Sequence, residues 1–333
     1  MLPQMRISWK GLAVITGALL AAPVVGLAVS CTSQGALAGP ERDALAAAGG
    51  RLSVAVVQQD FGALQAALLP AEAQDWEGIR SAVEQAAPLV KGGQAQIRNV
   101  YLLDATSLSA PADTQFFCSN SSGSLTVTIT MRALPPGRYA VVLGDAAGAQ
   151  LGGQMGFILA WDGPGSGWKL GGVSVRQGMF NGHDGTWYWM RARELAKLEM
   201  TWSAWYCFEA ARSLLLPVDF ISSPNLEKLT AEQTVLKNSP LNAFPYSIAD
   251  GARNWKIDSV HLDATLREPD LAVTYESTGV TDPAAQRTEA VAVLSAFLKA
   301  QPGLRENFHG LWADAVKDGK VTPVIELPMG QIP

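Results

Sequence analysis

Charged residues, histidine and cysteine are all scarce in this sequence. Only 17% of its 333 residues are charged, 48% are hydrophobic, and there are three histidines and three cysteines. Such a composition excludes an intrinsically disordered chain, and the length is sufficient for two domains. Positive charge does not dominate either, since the formal net charge is −5. An acidic surface repels phosphate backbones, so we do not expect a nucleic-acid partner.

Common catalytic and cofactor motifs are also missing. The sequence has no cysteine and histidine cluster with zinc spacing, no Gly-x-x-x-x-Gly-Lys loop, no Gly-x-Ser-x-Gly elbow and no dinucleotide fingerprint. We therefore predict no metal, no other cofactor and no catalytic residue, and we favour a protein that is not an enzyme. An enzyme with an apolar pocket stays open as an alternative, because one or two carboxylates can suffice for its chemistry.

The amino terminus is typical of a secretory signal peptide. Arg6 and Lys10 precede an uncharged apolar run over residues 11–29, and small residues follow that run. We therefore predict a signal peptide at 1–30, a short tether at 31–40 and an exported protein.

Two processing sites compete in this region. Residues 27–31, which read LAVSC, resemble the lipobox of bacterial lipoproteins. This resemblance implies that Cys31 is lipidated and anchors the protein to a membrane, the outer one if the cell has two. Residues 36–38 instead fit the small-x-small pattern of ordinary signal peptidase, which would release a soluble protein. We favour the lipoprotein, and we interpret Cys118 and Cys207 as two buried thiols, although export would permit a disulfide.

Residues 41–180 are predicted to form an α+β domain, with helices packed on a curved antiparallel sheet. Helical periodicity covers 40–69 and 76–90. Short β-rich segments follow at 97–103, 114–118, 125–131, 138–143, 155–161 and 168–175.

Two elements of this domain carry a resemblance. Residues 60–64 read Asp-Phe-x-Ala-Leu, and the last strand reads Trp-Lys-Leu-x-x-Val from Trp168. They resemble the nuclear transport factor two-like fold, also called ketosteroid isomerase-like. The resemblance implies a sheet wrapped around a helix, often with an apolar pocket, but it implies no particular activity.

Residues 184–240 are predicted to form a helical hairpin and a connector. The helices cover 187–198 and 201–216, and Pro217 ends the second. Small and aromatic residues recur along both helices in a pattern that resembles one tetratricopeptide hairpin: Tyr188, Ala192, Leu195, Ala204, Phe208 and Ala211.

Residues 241–333 are predicted to form a small β-β-α-α-β domain. Its strands cover 255–266, 271–277 and 321–327, and its helices cover 283–299 and 304–317. The second helix is expected because Phe308, Leu311, Trp312 and Ala315 would share one of its faces.

The second hairpin helix carries aromatic side chains on two sides. Trp202, Trp205 and Tyr206 lie opposite the apolar stripe that faces the first helix, where a surface helix is normally polar. Three explanations are open: packing against another domain, a groove for a ligand or peptide, and contact with a membrane. We favour the first.

The histidines provide the polar candidates for a site. His183 and Asp184 are adjacent and could form a general base, but a helix cap at Asp184 is the simpler interpretation. His261 and Asp263 lie two positions apart on a predicted strand, so they could share a metal or a proton, although a solvated sheet face also explains them. His309 is interpreted as an ordinary boundary histidine.

Together these patterns predict an exported, membrane-tethered lipoprotein that acts as a non-enzymatic binding or scaffolding module of the cell envelope. Its expected partners are the membrane, through the lipid, and an envelope protein or a small apolar ligand. The alternative is a periplasmic enzyme or small-ligand carrier that uses an apolar pocket in the domain at 41–180.

Overall fold

A computed structural model describes residues 29–120 and 125–333. Most of the predicted signal peptide lies outside the described residues. The chain is a mixed α+β protein whose sheets are mainly antiparallel, as predicted. None of the described helices is both long enough and apolar enough to cross a membrane.

The described residues divide into two units, and each unit is built from two stretches of chain. The amino-terminal unit comprises residues 29–178 and 216–224, and the carboxyl-terminal unit comprises 179–215 and 225–333. The predicted helical hairpin and the predicted last domain therefore lie in one unit.

The amino-terminal unit contains three helices and eight strands among the described residues. In chain order they are β1 (Ser30–Ser33), α1 (Gly39–Gln58), α2 (Phe61–Ala67), α3 (Trp76–Val90), β2 (Gln94–Asp104), β3 (Ala112–Ser119), β4 (Thr126–Leu134), β5 (Arg138–Ala147), β6 (Gln154–Trp161), β7 (Trp168–Arg176) and, after the hairpin, β10 (Ile221–Ser222).

A five-stranded sheet in the order β1-β2-β5-β6-β7 forms the middle of this unit. Alternate residues face opposite sides of a strand, and both sides of this sheet are buried. On one side Val142 and Phe157 share a core with Leu45 of α1. On the other side Val141 shares a core with Ile129 of β4.

The single curved sheet predicted for this unit is therefore wrong in one respect. β3 and β4 form a separate three-stranded sheet in the order β10-β4-β3. The alternation along β4 correctly indicated one buried face, but it did not indicate that this face packs on another sheet.

A disulfide between Cys31 and Cys118 joins the two sheets of this unit. Cys31 lies on β1, which pairs with β2, and Cys118 lies on β3. A sulfur in a disulfide cannot also carry a lipid thioether, so the predicted lipidation of Cys31 conflicts with the structure. The predicted tether at 31–40 includes residues 31–33 of β1, and Cys118 is not a free thiol. Cys207 is free and buried, as predicted, and burial raises the pKa of its thiol to about 12.

The carboxyl-terminal unit contains four helices and seven strands among the described residues. In chain order they are β8 (Met179–Phe180), β9 (His183–Asp184), α4 (Gly185–Lys197), α5 (Thr201–Leu215), α6 (Pro224–Thr234), β11 (Tyr246–Asp250), β12 (Arg253–Asp263), β13 (Asp270–Glu276), α7 (Pro283–Ala300), β14 (Gly310–Lys317) and β15 (Lys320–Pro328).

A five-stranded sheet in the order β11-β12-β13-β14-β15 carries this unit. Only β13 and β14 run parallel, and α7 connects them. One face of the sheet is apolar: Val273 and Leu311 share a core with Phe297 of α7 and Tyr206 of α5.

The helix predicted at 304–317 is wrong, because this segment contains β14 after a short 3₁₀ turn at Pro302–Leu304. Leu311 and Ala313 are fully buried, whereas Trp312 is on the opposite face and partly exposed. The spacing of the apolar residues fits a helix equally well in isolation. The segment is a strand because it pairs with β13 on one side and with β15 on the other, and such tertiary context overrides local periodicity.

Glu289 of α7 ties the loop after β13 to the helix. The buried carboxylate accepts hydrogen bonds from the Ser277 hydroxyl at 2.8 Å and from the Thr278 amide at 3.0 Å. Burial raises the pKa of Glu289, but these hydrogen bonds to the charged form outweigh it, so the pKa lies below its ordinary value.

Glu289→Gln should therefore lower the free energy of unfolding at pH 7 by about 2 kcal/mol, because the charge-assisted hydrogen bonds are weakened. A carboxyl group whose pKa is lowered by folding stabilises the folded state at any pH above its ordinary pKa. This stabilisation disappears as the pH falls through the lower pKa that the group has in the folded protein. The difference between wild type and variant should shrink from pH 7 to pH 3 in urea unfolding. Glu276→Gln, at an exposed position of β13, is the control. A difference that does not vary with pH would refute this account.

Candidate functional site

The three aromatic candidates on α5 are buried within the carboxyl-terminal unit. Trp202, Trp205 and Tyr206 are 8%, 9% and 1% exposed. The Tyr206 hydroxyl donates a hydrogen bond to the Val260 carbonyl of β12 at 3.2 Å. We therefore assign these side chains to packing between the hairpin and the sheet, and not to a binding groove.

The pair His183 and Asp184 caps a helix. Asp184 Oδ1 accepts a hydrogen bond from the Trp187 amide at 2.8 Å, which is the predicted cap of α4. The ring of His183 stacks on Trp187 with 3.8 Å between the ring centroids. Asp184 thus caps α4, which is the simpler interpretation given for this pair.

Polar side chains concentrate on the outer face of the carboxyl-terminal sheet, opposite α7. Paired residues on neighbouring strands lie on the same face. Register pairs His261 with Ala272 and Asp263 with Asp270, and Trp312 of β14 pairs with Ala272 and with Glu326 of β15. This polar face consists of His261, Asp263, Asp270, Trp312, Asp314 and Glu326.

One edge of the polar face brings three strand ends together. β13 begins with Asp270, β14 begins one residue after His309, and β15 ends shortly after Glu326. The backbone holds His309 in place, since its amide donates to the Pro269 carbonyl at 3.1 Å and its carbonyl accepts from Met329 at 2.8 Å. Because β13 and β14 are parallel and β15 is antiparallel to β14, three ionisable side chains lie together at this edge.

Asp270 is the centre of this group. Its carboxylate is fully buried. Nδ1 of His309 lies 2.8 Å from Oδ1, and Nε1–H of Trp312 donates to Oδ2 at 3.2 Å. The side chain of His309 is 35% exposed, so the ring connects the buried carboxylate with the surface.

Glu326 is the third member of the group, and one of its carboxylate oxygens accepts no hydrogen bond. Its Oε1 is buried and has no hydrogen-bond partner among the described residues. A Cβ atom added at Gly310 would lie 2.6 Å from this Oε1 and 3.1 Å from Asp270 Oδ1. The glycine therefore allows the two carboxylates to approach each other.

The electrostatics of the group are unfavourable for two negative charges. Burial raises the pKa of Asp270, against the hydrogen bonds from His309 and Trp312, and Asp263 raises it further. Burial also raises the pKa of Glu326, and the neighbouring Asp270 adds to this effect. Each carboxylate would be stabilised by a positive charge between them.

The arrangement suits binding of a proton or a cation better than nucleophilic catalysis. The partner of His309 Nδ1 is the carboxylate of Asp270, and not a hydroxyl or a thiol. A histidine and carboxylate pair without a nucleophile lacks one member of the acyl-transfer arrangement.

Sequence patterns did not reveal this group. The sequence predicts a turn at Asp270, and it predicts a helix for the segment that contains His309 and the strand after it. The prediction that His261 and Asp263 share a sheet face placed two residues on the correct face, yet the closest contacts involve Asp270, His309 and Glu326. A correct assignment of β14 would have been needed to bring His309 near Asp270.

Comparison with known proteins does not extend this picture. No family model, no curated protein and no solved structure matches the chain. The resemblances to the nuclear transport factor two-like fold and to a tetratricopeptide hairpin therefore rest on sequence patterns alone.

Proposed function

We propose that the protein is an exported, disulfide-containing module of the cell envelope with a binding or scaffolding role and no enzymatic activity. The observation that carries the proposal is the disulfide between Cys31 and Cys118. Disulfides form and persist in exported proteins and are rare where thiols are kept reduced. The signal-like amino terminus supports the same location.

The disulfide also bears on processing. Lipidation would use the sulfur of Cys31, and cleavage after Ala38 would remove the residue. Gly26-Leu27-Ala28 offers a third site with the small-x-small pattern of signal peptidase. Cleavage after Ala28 would leave Val29 as the first residue and would retain Cys31 for β1. We therefore propose a soluble exported protein in place of a lipid-anchored one.

The experiment is mass spectrometry of the mature protein purified from its own cells. We expect a chain that begins at Val29 and is two hydrogens lighter than its reduced form. After denaturation without reductant, only one thiol, that of Cys207, should react with an alkylating reagent. Cys118→Ser should begin at the same residue and show two alkylatable thiols, those of Cys31 and Cys207. A lipid on Cys31, a chain that begins at Gly39, or retention of the whole leader would each contradict the proposal.

The binding role follows from the polar face of the carboxyl-terminal sheet. Asp270 is held by two hydrogen bonds and Glu326 presents an oxygen without a donor, which together suit the recognition of a cation. This group lies in the carboxyl-terminal unit, so it lends no support to the alternative of an apolar pocket in the domain at 41–180.

A further inference from the structure

We propose that Asp270, His309 and Glu326 form a binding site for a divalent transition-metal cation, and that zinc fits these ligands best. The proposal goes beyond a location in the envelope and does not depend on export.

The geometry places three ligand atoms around one point. One imidazole nitrogen and one oxygen from each carboxylate all lie within 4.8 Å of one another. Zinc binds nitrogen and oxygen ligands at about 2.0–2.2 Å, so its ligands stand roughly 3–3.5 Å apart. His309 Nδ1 and Asp270 Oδ1 lie 2.8 Å apart, which is a hydrogen-bond distance, so these two atoms would separate slightly around the ion. Small movements of the Glu326 side chain would complete the arrangement.

The charges of the group also favour a cation at this place. Two carboxylates face each other at a place where Asp270 is fully buried. Ionised together, they repel each other, and Glu326 Oε1 has no donor among the described residues to compensate for its burial. A cation with two positive charges would neutralise both carboxylates while His309 stays neutral. A cation would also take the place of the proton between His309 and Asp270.

The surrounding residues support the ligands in the way that metal sites require. Trp312 donates its indole N–H to Asp270 Oδ2, which leaves Oδ1 toward His309. Hydrogen bonds of this kind orient a metal-binding carboxylate. Gly310 leaves open the space between the two carboxylates, which a larger residue would fill.

The choice of metal follows from the kinds of ligand. Magnesium and calcium prefer sets of six or more oxygens, whereas one imidazole with two carboxylates is a set that zinc accepts. Three protein ligands leave a fourth position for water, as in zinc sites that bind a further ligand.

The test is calorimetric titration of the full mature chain, freed of metal with a chelator, with Zn²⁺ and separately with Mg²⁺. Wild type should bind one Zn²⁺ per chain and should not bind Mg²⁺ at the same concentrations. Glu326→Gln and His309→Gln should each weaken zinc binding at least about tenfold. His261→Gln is the matched control, because His261 lies exposed on the same sheet face outside the group. Its affinity for zinc should equal that of wild type.

Thermal unfolding with and without Zn²⁺ separates a lost ligand from a lost fold. Glu326→Gln keeps the side-chain shape and removes a repelling charge, so its metal-free form should melt no lower than wild type. Zn²⁺ should raise the melting temperature of wild type and of His261→Gln, and not that of Glu326→Gln. If wild type binds no stoichiometric zinc, or if Glu326→Gln binds zinc as wild type does, the group shares a proton and the proposal is wrong. Equal weakening in His261→Gln and His309→Gln would also overturn it.

Discussion

Trp202→Ala should lower the free energy of unfolding of the carboxyl-terminal unit by about 3–5 kcal/mol, the range measured for large aromatic side chains removed from cores. The indole is 8% exposed and lies among the rings of Phe244, Tyr246 and Phe297, at centroid distances of 5.8, 4.9 and 5.6 Å. Alanine would leave a cavity lined by these rings and by the ring of Tyr206, whose centroid is 6.4 Å away. Urea unfolding followed by circular dichroism measures the loss.

Trp187→Ala is the matched control for this prediction. Trp187 lies on the other helix of the hairpin and is 39% exposed, so its removal should change the free energy of unfolding by less than about 1 kcal/mol. Equal losses in the two variants would contradict the burial of Trp202. If Trp202→Ala has the same stability as wild type, Trp202 is not a packing residue, and a role in binding a ligand or peptide is the better explanation.

Cys118→Ala should lower the free energy of unfolding of the amino-terminal unit by about 4 kcal/mol. The bond closes a loop between residues separated by 87 positions, and in the chain-entropy account longer loops gain more stability from closure. Cys118 is 1% exposed within the core between the two sheets, so the bond is protected from solvent on that side.

Reductant provides the control for the disulfide. Wild type and Cys207→Ala should both lose stability when a thiol reductant is added, whereas Cys118→Ala should not respond, because Cys207 is a free thiol. Mass spectrometry after treatment should show two more hydrogens, which confirms that the disulfide has been reduced. If the unfolding curve of this reduced wild type is unchanged, the disulfide does not stabilise the protein.

Local pattern was sufficient for most elements of the fold. The hairpin helices, the helix at 283–299 and the strands β2 to β7 were predicted because each has a period that matches one secondary structure. β14 was mistaken for a helix, since eight residues are too few to distinguish period 2 from period 3.6 when Leu311 and Trp312 are adjacent. Pairing between strands decides such segments, and sequence does not display pairing.

Long-range contacts account for what could not be predicted. The bond from Cys31 to Cys118 depends on β1 lying beside β2, and a short segment after a signal-like run gives no indication of that pairing. The group of Asp270, His309 and Glu326 is assembled by a parallel strand pair and an antiparallel one. Each residue alone has an ordinary local explanation, so only the fold identifies the group.

Strand β10 constrains the order in which the two units can fold. It pairs with β4, yet the helical hairpin of the other unit precedes it in the chain. As the chain emerges from its amino terminus, β4 can pair with β3 but keeps an open edge until residues 221–222 follow. Completion of the first unit therefore waits until the hairpin of the second unit has been synthesised.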